Sequence, residues 1–178
     1  MKTEQANLLV LHFSDAGDIP NNTSLPVLVV KKAIQARKPE ERARFFEETW
    51  PNHGWIPAWR WGVYDFPHYH STAHEILGVF AGQATLRIGG KTGATLRVEP
   101  GDMIILPAGT GHQNLGSSPD FQVVGGYPKN QKADLMKGKS GERPQADQRI
   151  AQVPPPIGDP LSGIHGPVCD HWLKPKVV

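Results

Sequence analysis

The sequence has little cysteine and no long apolar run. Its single cysteine, Cys169, has no partner in the chain, so an internal disulfide framework is excluded. The apolar run at residues 8–11 is too short for the core of a signal peptide or for a membrane span. We therefore expect a soluble cytoplasmic protein with no membrane partner.

The sequence also lacks a large excess of positive or negative charge. The 178 residues include 19 Lys and Arg and 17 Asp and Glu, for a formal net charge of +2, and the basic residues are spread along the chain. Proteins that bind nucleic acid concentrate basic side chains on one surface. We therefore expect no nucleic-acid partner. The length is typical of one domain with a substantial core, and residues 1–178 are expected to form it.

Short strand-like segments alternate with turns rich in glycine and proline. Strands are predicted at 8–13 and 25–32, and a helix at 39–50, where Pro39 suits the first turn and Pro51 ends the helix. The later strands are predicted at 58–65, 76–80, 83–88, 94–98, 103–106, 112–115 and 121–127. Many short strands separated by turns predict an all-β protein, an antiparallel sandwich or barrel.

The chain divides into three parts by this pattern. Residues 1–54 hold the N-terminal strands and one short helix, 55–128 form the core barrel, and 129–178 are a C-terminal extension rich in proline and glycine. Proline lacks the backbone donor of a central strand, so we expect an extended tail, with partial disorder as the alternative. Three apolar side chains could pin it to the barrel or to a neighbouring subunit: Leu161, Trp172 and Leu173.

Four side chains of the kinds that bind metals follow one another in a fixed order: His68, His70, Glu75 and His112. His68 and His70 are two residues apart, so on a strand they point to the same face. Three imidazoles and a carboxylate form a mixed nitrogen and oxygen donor set that suits iron, manganese, nickel, zinc or copper. We therefore predict that these four residues bind one divalent metal ion.

The local sequence around the last two of these residues favours an inward orientation. Glu75 opens the apolar run 76–80, and a carboxylate that enters a barrel needs a cation or a donor to offset its desolvation. His112 follows a turn in which Gly109 permits a positive φ, so the chain can double back and direct the next side chain inward.

Five other polar side chains are weaker candidates for a substrate pocket: Arg60, Tyr64, His74, Asn114 and Gln122. Arg60 and Tyr64 share one face of the predicted strand before the histidines, and Asn114 shares the face of His112. Gln122 lies on a late strand that could face the metal. Neighbouring residues of a strand point to opposite faces, so His74 should point away from the face of Glu75. We therefore expect His74 to be exposed or to lie behind the ligands, with metal ligation and an acid/base role as the alternatives.

The chain contains two segments with the spacing Gly62-x5-His68-x-His70-x4-Glu75-x6-Gly82 and Gly101-x5-Pro107-x-Gly109-x2-His112. These segments resemble the two sequence motifs of the cupin superfamily. The second motif departs at Gly116, where cupins often carry asparagine. The segments Gly126-Tyr127-Pro128 and Asp159-Pro160 resemble small bacterial single-domain cupins of the YjlB-like type. This resemblance implies a jelly-roll β-barrel, a divalent metal and a homodimer, and it leaves the reaction open.

Two kinds of function are compatible with this site. An octahedral metal held by four protein ligands keeps two positions for a bidentate substrate, or for a substrate and dioxygen, and Glu75 could leave the metal to act as a catalytic base. A dioxygenase and an isomerase or lyase acting on a small organic molecule both fit. The alternative is a non-catalytic module that binds a metal or a small molecule.

Overall fold

A computed structural model describes residues 8–174, in which nine strands form two antiparallel sheets. The strands are β1 Leu8–Leu11, β2 Val27–Val30, β3 Trp55–Trp61, β4 Glu75–Ala81, β5 Ala84–Ile88, β6 Ala94–Val98, β7 Met103–Leu106, β8 His112–Ser117 and β9 Gln122–Pro128. The α-helices are α1 Pro39–Thr49 and α2 Gln145–Gln152; a 3-10 turn spans Trp50–His53 and a π-helical turn spans Cys169–Leu173.

The two sheets enclose the main core. The larger sheet has the strand order β1-β2-β7-β4-β9-β3, and the smaller has the order β6-β5-β8. Side chains from both sheets meet in one apolar cluster that includes Leu77 and Val79 of β4 and Leu86 and Ile88 of β5. This double-sheet barrel confirms the predicted all-β jelly-roll fold.

The larger sheet is covered on its other face as well. Ile76 of β4 and Ile105 of β7 pack there in a second apolar cluster with Phe46 of α1 and Trp172 of the C-terminal extension. All four residues of β2 and of β7 are buried, as are the first six of β4. This two-sided burial explains why these strands read as continuous apolar runs rather than as alternating ones.

Helix α1 approaches the sheet closely at one glycine. A Cβ atom on Gly78 would lie 2.5 Å from the ring of Phe46, so a larger residue in β4 would push the helix away. The helix begins at Pro39 and carries Glu40 and Glu41 in its first turn, where their negative charges interact favourably with the positive end of the helix dipole. The helix predicted at 39–50 is confirmed to within one residue.

The C-terminal extension is mostly irregular chain, and it also contains α2 and the π-helical turn, which were not predicted. Helix α2 was missed because it is only eight residues long and buries only Ala146, so it carries few apolar residues. The predicted pinning is confirmed for Trp172, whose indole Nε1 donates to the Pro26 carbonyl at 2.9 Å. Within residues 8–174, no helix combines the length and the apolar character needed to cross a bilayer.

Candidate metal centre

The structure brings His68, His70, Glu75 and His112 together at one end of the barrel. His68 and His70 lie in the segment between β3 and β4, Glu75 is the first residue of β4, and His112 is the first of β8. Paired backbone hydrogen bonds of 3.1 and 2.9 Å join His68 to His112. The two early histidines occupy this short bridged segment rather than the regular strand that their spacing suggested.

Each of the three imidazoles has its Nδ1 atom beside a backbone carbonyl. The Phe66 carbonyl lies 3.1 Å from Nδ1 of His68, the Thr110 carbonyl lies 3.0 Å from Nδ1 of His112, and the Asp134 carbonyl contacts Nδ1 of His70. A carbonyl can only accept, so Nδ1 must carry the proton in each ring. In a neutral ring this leaves the lone pair on Nε2, which is the arrangement seen in metal-binding histidines.

Glu75 faces the Nε2 atoms of two of these rings. Its Oε1 atom lies 3.3 Å from Nε2 of His70, and its Oε2 atom lies 3.0 Å from Nε2 of His112. With Nδ1 protonated, a neutral ring and a carboxylate present lone pairs to each other at these distances. Either a proton or a cation must lie between them, and a metal ion would satisfy all the facing atoms at once.

Burial and mutual electrostatics set the ionisation of these residues. Burial, reinforced by His112, lowers the pKa of His68 to about 3, so this ring is neutral at pH 7. Burial opposes protonation of His70 too, but the Glu75 carboxylate outweighs it and raises the pKa of His70 to about 9. Burial also disfavours the charge on Glu75, yet His70 and His112 hold its pKa well below the ordinary value.

These side chains fit a metal ion. The candidate ligand atoms of His68, His70 and His112 all lie within 4.8 Å of one another, and the three side chains are buried. Metal binding requires deprotonated ligands, so an ion would replace the proton that Glu75 favours on His70. Nitrogen and oxygen donors of this kind suit first-row divalent metals, without selecting one of them.

The centre opens into a cavity of about 310 Å³. Its walls are mainly aromatic and aliphatic, with the four candidate ligands at the base. The other lining residues are Trp59, Trp61, Gly62, Val63, Tyr64, Leu77, Tyr127, Ala133, Asp134 and Leu135. A concave, largely apolar space with a few converging polar groups is typical of a small-molecule site.

Of the five weaker pocket candidates, only Tyr64 lines this cavity. Arg60 points away from it and forms ion pairs with Glu40 at 2.9 Å and Glu47 at 2.6 Å, both on α1. The prediction that Arg60 and Tyr64 share one face was wrong, because β3 ends at Trp61 and the alternation of side chains along a strand does not continue to Tyr64. Arg60 is therefore removed from the candidate pocket.

His74, Asn114 and Gln122 also lie outside the lining of this cavity. His74 is buried, not exposed; its Nδ1 atom accepts the Ala108 N–H at 3.0 Å, and its ring packs on Trp172 with centroids 4.9 Å apart. Burial lowers the pKa of His74 to about 4. The Asn114 side chain binds locally, donating to Ser117 at 3.1 Å, and Gln122 is exposed at the start of β9.

Sequence reasoning missed Trp59, Tyr127 and Asp134. Tyr127 could have been found from β9, because Val123 and Tyr127 have the same parity and Val123 belongs to the barrel core. The same alternation places Gln122 on the opposite face of β9 from Val123 and Tyr127. No local pattern marked Asp134, which lies in the extension and reaches the centre only through tertiary contacts.

Comparison with known proteins yields one family model and one curated relative. The model, described as a cupin domain, matches residues 62–119. The relative is the Bacillus subtilis (strain 168) protein described as "Uncharacterized protein YjlB". It is 37% identical over 162 residues, which cover 91% of this chain and 94% of the relative.

Solved structures show weaker likeness. The DMSP lyase DddQ from Ruegeria pomeroyi DSS-3 is 21% identical with a TM-score of 0.37, and the match covers 76% of this chain and 53% of the lyase, about half its length. A double-stranded β-helix protein from Klebsiella pneumoniae subsp. pneumoniae MGH 78578 is 15% identical with a TM-score of 0.33, and the match covers 77% of this chain and 85% of that protein. At these values neither likeness bears on function.

Proposed function

The chain belongs to the YjlB-like cupins, and from this premise we propose that it is a divalent-metal-dependent enzyme acting on a small organic molecule. The observation that carries the proposal is the convergence of three buried imidazoles and Glu75 at the base of an aromatic cavity. Glu75 and His112 begin strands of the barrel, and His68 is bonded to His112 through its backbone, so their positions are set before any ligand binds.

The four side chains named above would hold the ion. A divalent metal in such a site supplies Lewis-acid or redox chemistry when it is bound. The backbone carbonyls beside Nδ1 of His68, His70 and His112 fix the orientation of the rings. Glu75 retains its negative charge although it is buried; to act as a base it would have to leave the metal and the two imidazoles that lower its pKa.

Tyr127 is positioned to donate a hydrogen bond inside the cavity. Its hydroxyl oxygen accepts the indole N–H of Trp59 at 3.0 Å, and its own proton is directed at the Glu75 carboxylate, which the acceptor atom of a substrate would replace. Burial, together with the negative charge of Glu75, raises the pKa of Tyr127 to about 12. The hydroxyl therefore stays protonated at pH 7 and would bind an oxygen or nitrogen atom of the substrate as a donor.

The cavity favours a small substrate with a flat, apolar body. Its volume of about 310 Å³ lies at the lower end of the range of ligand pockets. Trp59, Trp61, Tyr64 and Tyr127 provide aromatic faces, which pack well against planar groups. We propose that such a molecule presents two oxygen atoms, or an oxygen and a sulfur atom, towards the metal. Catechols, diketones and small thiols are the first candidates.

Metal content is the first test. Protein purified without a histidine tag should contain about one first-row divalent metal ion per chain when measured by elemental analysis. The variants His70→Ala and Glu75→Ala should lose most of this metal while keeping the circular dichroism spectrum of the parent. His165→Ala alters an exposed histidine that does not line the cavity and should keep the metal. Retention of stoichiometric metal by both site variants would refute the assignment.

A second measurement separates the reaction classes. The metal-loaded protein would be incubated with catechols, diketones and thiols while dissolved oxygen and substrate are followed together. Oxygen consumed in proportion to substrate supports a dioxygenase, whereas substrate conversion without oxygen uptake supports an isomerase or lyase. Saturable binding with no conversion across this panel favours the alternative, a non-catalytic binding module.

We also propose that the protein is a cytoplasmic homodimer. Strand β1 forms one edge of the larger sheet, and Leu9 on it is 40% exposed. An edge strand with an exposed apolar side chain can pair with the same strand of a second copy. Light scattering after size exclusion should give twice the chain mass of 19.5 kDa, and a monomer mass at all concentrations would contradict the proposal.

A further inference from the structure

A short segment of the C-terminal extension lies directly on the segment that carries His68 and His70. We call residues 131–136 the clasp; they follow β9 and lie outside the residues that match the cupin-domain model, 62–119. Ala133, Asp134 and Leu135 of the clasp line the cavity. The extension therefore forms part of the wall around the candidate metal centre.

The clasp is bonded on both sides of His70. The backbones of Tyr69 and Met136 exchange two hydrogen bonds, of 2.9 and 3.0 Å. Further along the chain, the His74 N–H donates to the side-chain oxygen of Gln131 at 3.0 Å. These contacts run antiparallel, so the two segments are held in register with Asp134 opposite His70 and Ser71.

Asp134 contacts His70 and its neighbour through two different groups. Its backbone carbonyl accepts from Nδ1 of His70. Its carboxylate accepts the Ser71 N–H at 2.6 Å and also accepts from the Ser71 hydroxyl. Because the carbonyl and the carboxylate belong to one residue, the bonds to Ser71 fix where the carbonyl meets the imidazole.

Two more side chains hold Asp134 in this position. The Asp134 N–H donates to the hydroxyl of Thr72 at 3.0 Å, and that hydroxyl donates to the Lys132 carbonyl at 2.7 Å. The Ser71 hydroxyl accepts from the guanidinium of Arg149 on α2 at 2.7 Å. Helix α2 is thereby linked through Ser71 to Asp134 and the metal centre.

His70 differs from the other two imidazoles in the origin of its carbonyl partner. His68 and His112 each use the carbonyl two residues earlier in the chain, so their orientation is a local property. The partner of His70 lies 64 residues away, on the clasp. The orientation of His70 therefore depends on a tertiary contact that its own segment cannot supply.

From these contacts we infer that Asp134 is a positioning residue of the metal centre, which holds the Nδ1–H of His70 and so directs Nε2 towards the metal. This inference rests on the proposed metal-binding function. Partners that orient a ligating histidine typically change metal affinity by 10- to 100-fold when they are altered. Loss of the Asp134 carboxylate should release the carbonyl from its fixed place and so weaken metal binding.

Metal affinity and spectroscopy test this role. The dissociation constant for Co²⁺ would be measured by competition with a chelator, and the visible spectrum of the Co²⁺ protein would report the ligand geometry. Asp134→Ala should raise the dissociation constant roughly 10-fold or more and change the spectrum. Asp134→Asn keeps an acceptor for the Ser71 N–H and should recover part of the affinity. Asp120→Ala removes an exposed carboxylate in a turn that does not line the cavity, and it should match the parent.

Hydrogen exchange of the metal-free protein provides an independent readout. The N–H groups of Tyr69, Ser71 and His74 are bonded to the clasp, so peptides covering 68–74 should exchange faster in Asp134→Ala, whereas β5 should not change. An unchanged Co²⁺ affinity and spectrum would overturn the positioning role even if exchange increased. A parent protein that binds no Co²⁺ would refute the metal-binding function, and the exchange data would still decide whether Asp134 restrains His70.

Discussion

At the scale of single residues, Gly125 determines the shape of the cavity. It lies on β9 beside Trp59 of β3, and a Cβ atom at this position would sit 2.1 Å from the Trp59 ring. The indole of Trp59 lines the cavity and donates to Tyr127. The absent side chain of Gly125 therefore makes room for an aromatic wall and for the hydrogen bond that orients Tyr127.

Gly125→Ala should destabilise the protein by about 1–3 kcal/mol, because the added methyl group overlaps a ring in a packed interior. Gly116→Ala is the matched control on β8: nothing lies within 4 Å of its added Cβ, and it should change the free energy of unfolding by less than about 0.5 kcal/mol. Urea denaturation of both variants would measure the difference. Equal stability of the two variants would contradict the steric role of Gly125.

Single residues also show where reasoning from sequence succeeds and fails. The spacing and chemistry of His68, His70, Glu75 and His112 sufficed to choose the four side chains that the structure brings together. The pocket residues were harder to predict, because side chains alternate between two faces only within a continuous strand. Strand β3 ends between Arg60 and Tyr64, so these two residues do not share a face.

At the scale of secondary structure, local signals predicted the barrel and missed the extension. The strands of the barrel have strong apolar patterns and turn residues, so their boundaries were predicted to within a few residues. Helix α2 is short and the clasp is irregular, and both are held by side chains that are distant in sequence. Glu142 is one example, since it accepts from the Tyr69 hydroxyl at 3.0 Å, just before α2 begins.

Glu142 should stabilise the extension in a pH-dependent way. Burial raises the pKa of Glu142, but the N–H groups of Lys137 and Gly138 and the Tyr69 hydroxyl outweigh it, so the pKa lies below its ordinary value. Such a group stabilises the fold above the unfolded pKa of 4.5, and this contribution is lost as the pH falls through the folded pKa. Glu142 therefore favours folding at neutral pH.

Glu142→Gln should cost roughly 1 kcal/mol at pH 7, because the charged acceptor of three hydrogen bonds becomes neutral and the site is partly exposed to solvent. The difference from the parent should shrink at pH 4 and below. Urea denaturation at both pH values measures it. A difference that stays constant with pH would show that the charge of Glu142 does not contribute.

At the scale of the whole molecule, residues from both terminal parts pack in the same apolar cluster. The cluster on the outer face of the larger sheet joins Leu28 of β2, Phe46 of α1 and Trp172 near the end of the described chain. Trp172 also packs on His74, the neighbour of Glu75. That residues 1–178 form a single domain remains a prediction, and this shared cluster indicates how to test it.

Trp172→Ala should destabilise the entire molecule by about 3 kcal/mol, because a buried indole is replaced by a cavity. Trp61→Ala is the matched control: this residue is 59% exposed, so the change should cost less than about 0.5 kcal/mol. Denaturation would be followed by circular dichroism, and hydrogen exchange would be measured in the strands of both sheets. If the extension is integral to one cooperative unit, Trp172→Ala lowers the protection of β5 as much as that of β4. A β5 that keeps the protection of the parent would instead show that the barrel unfolds independently of its C-terminal extension.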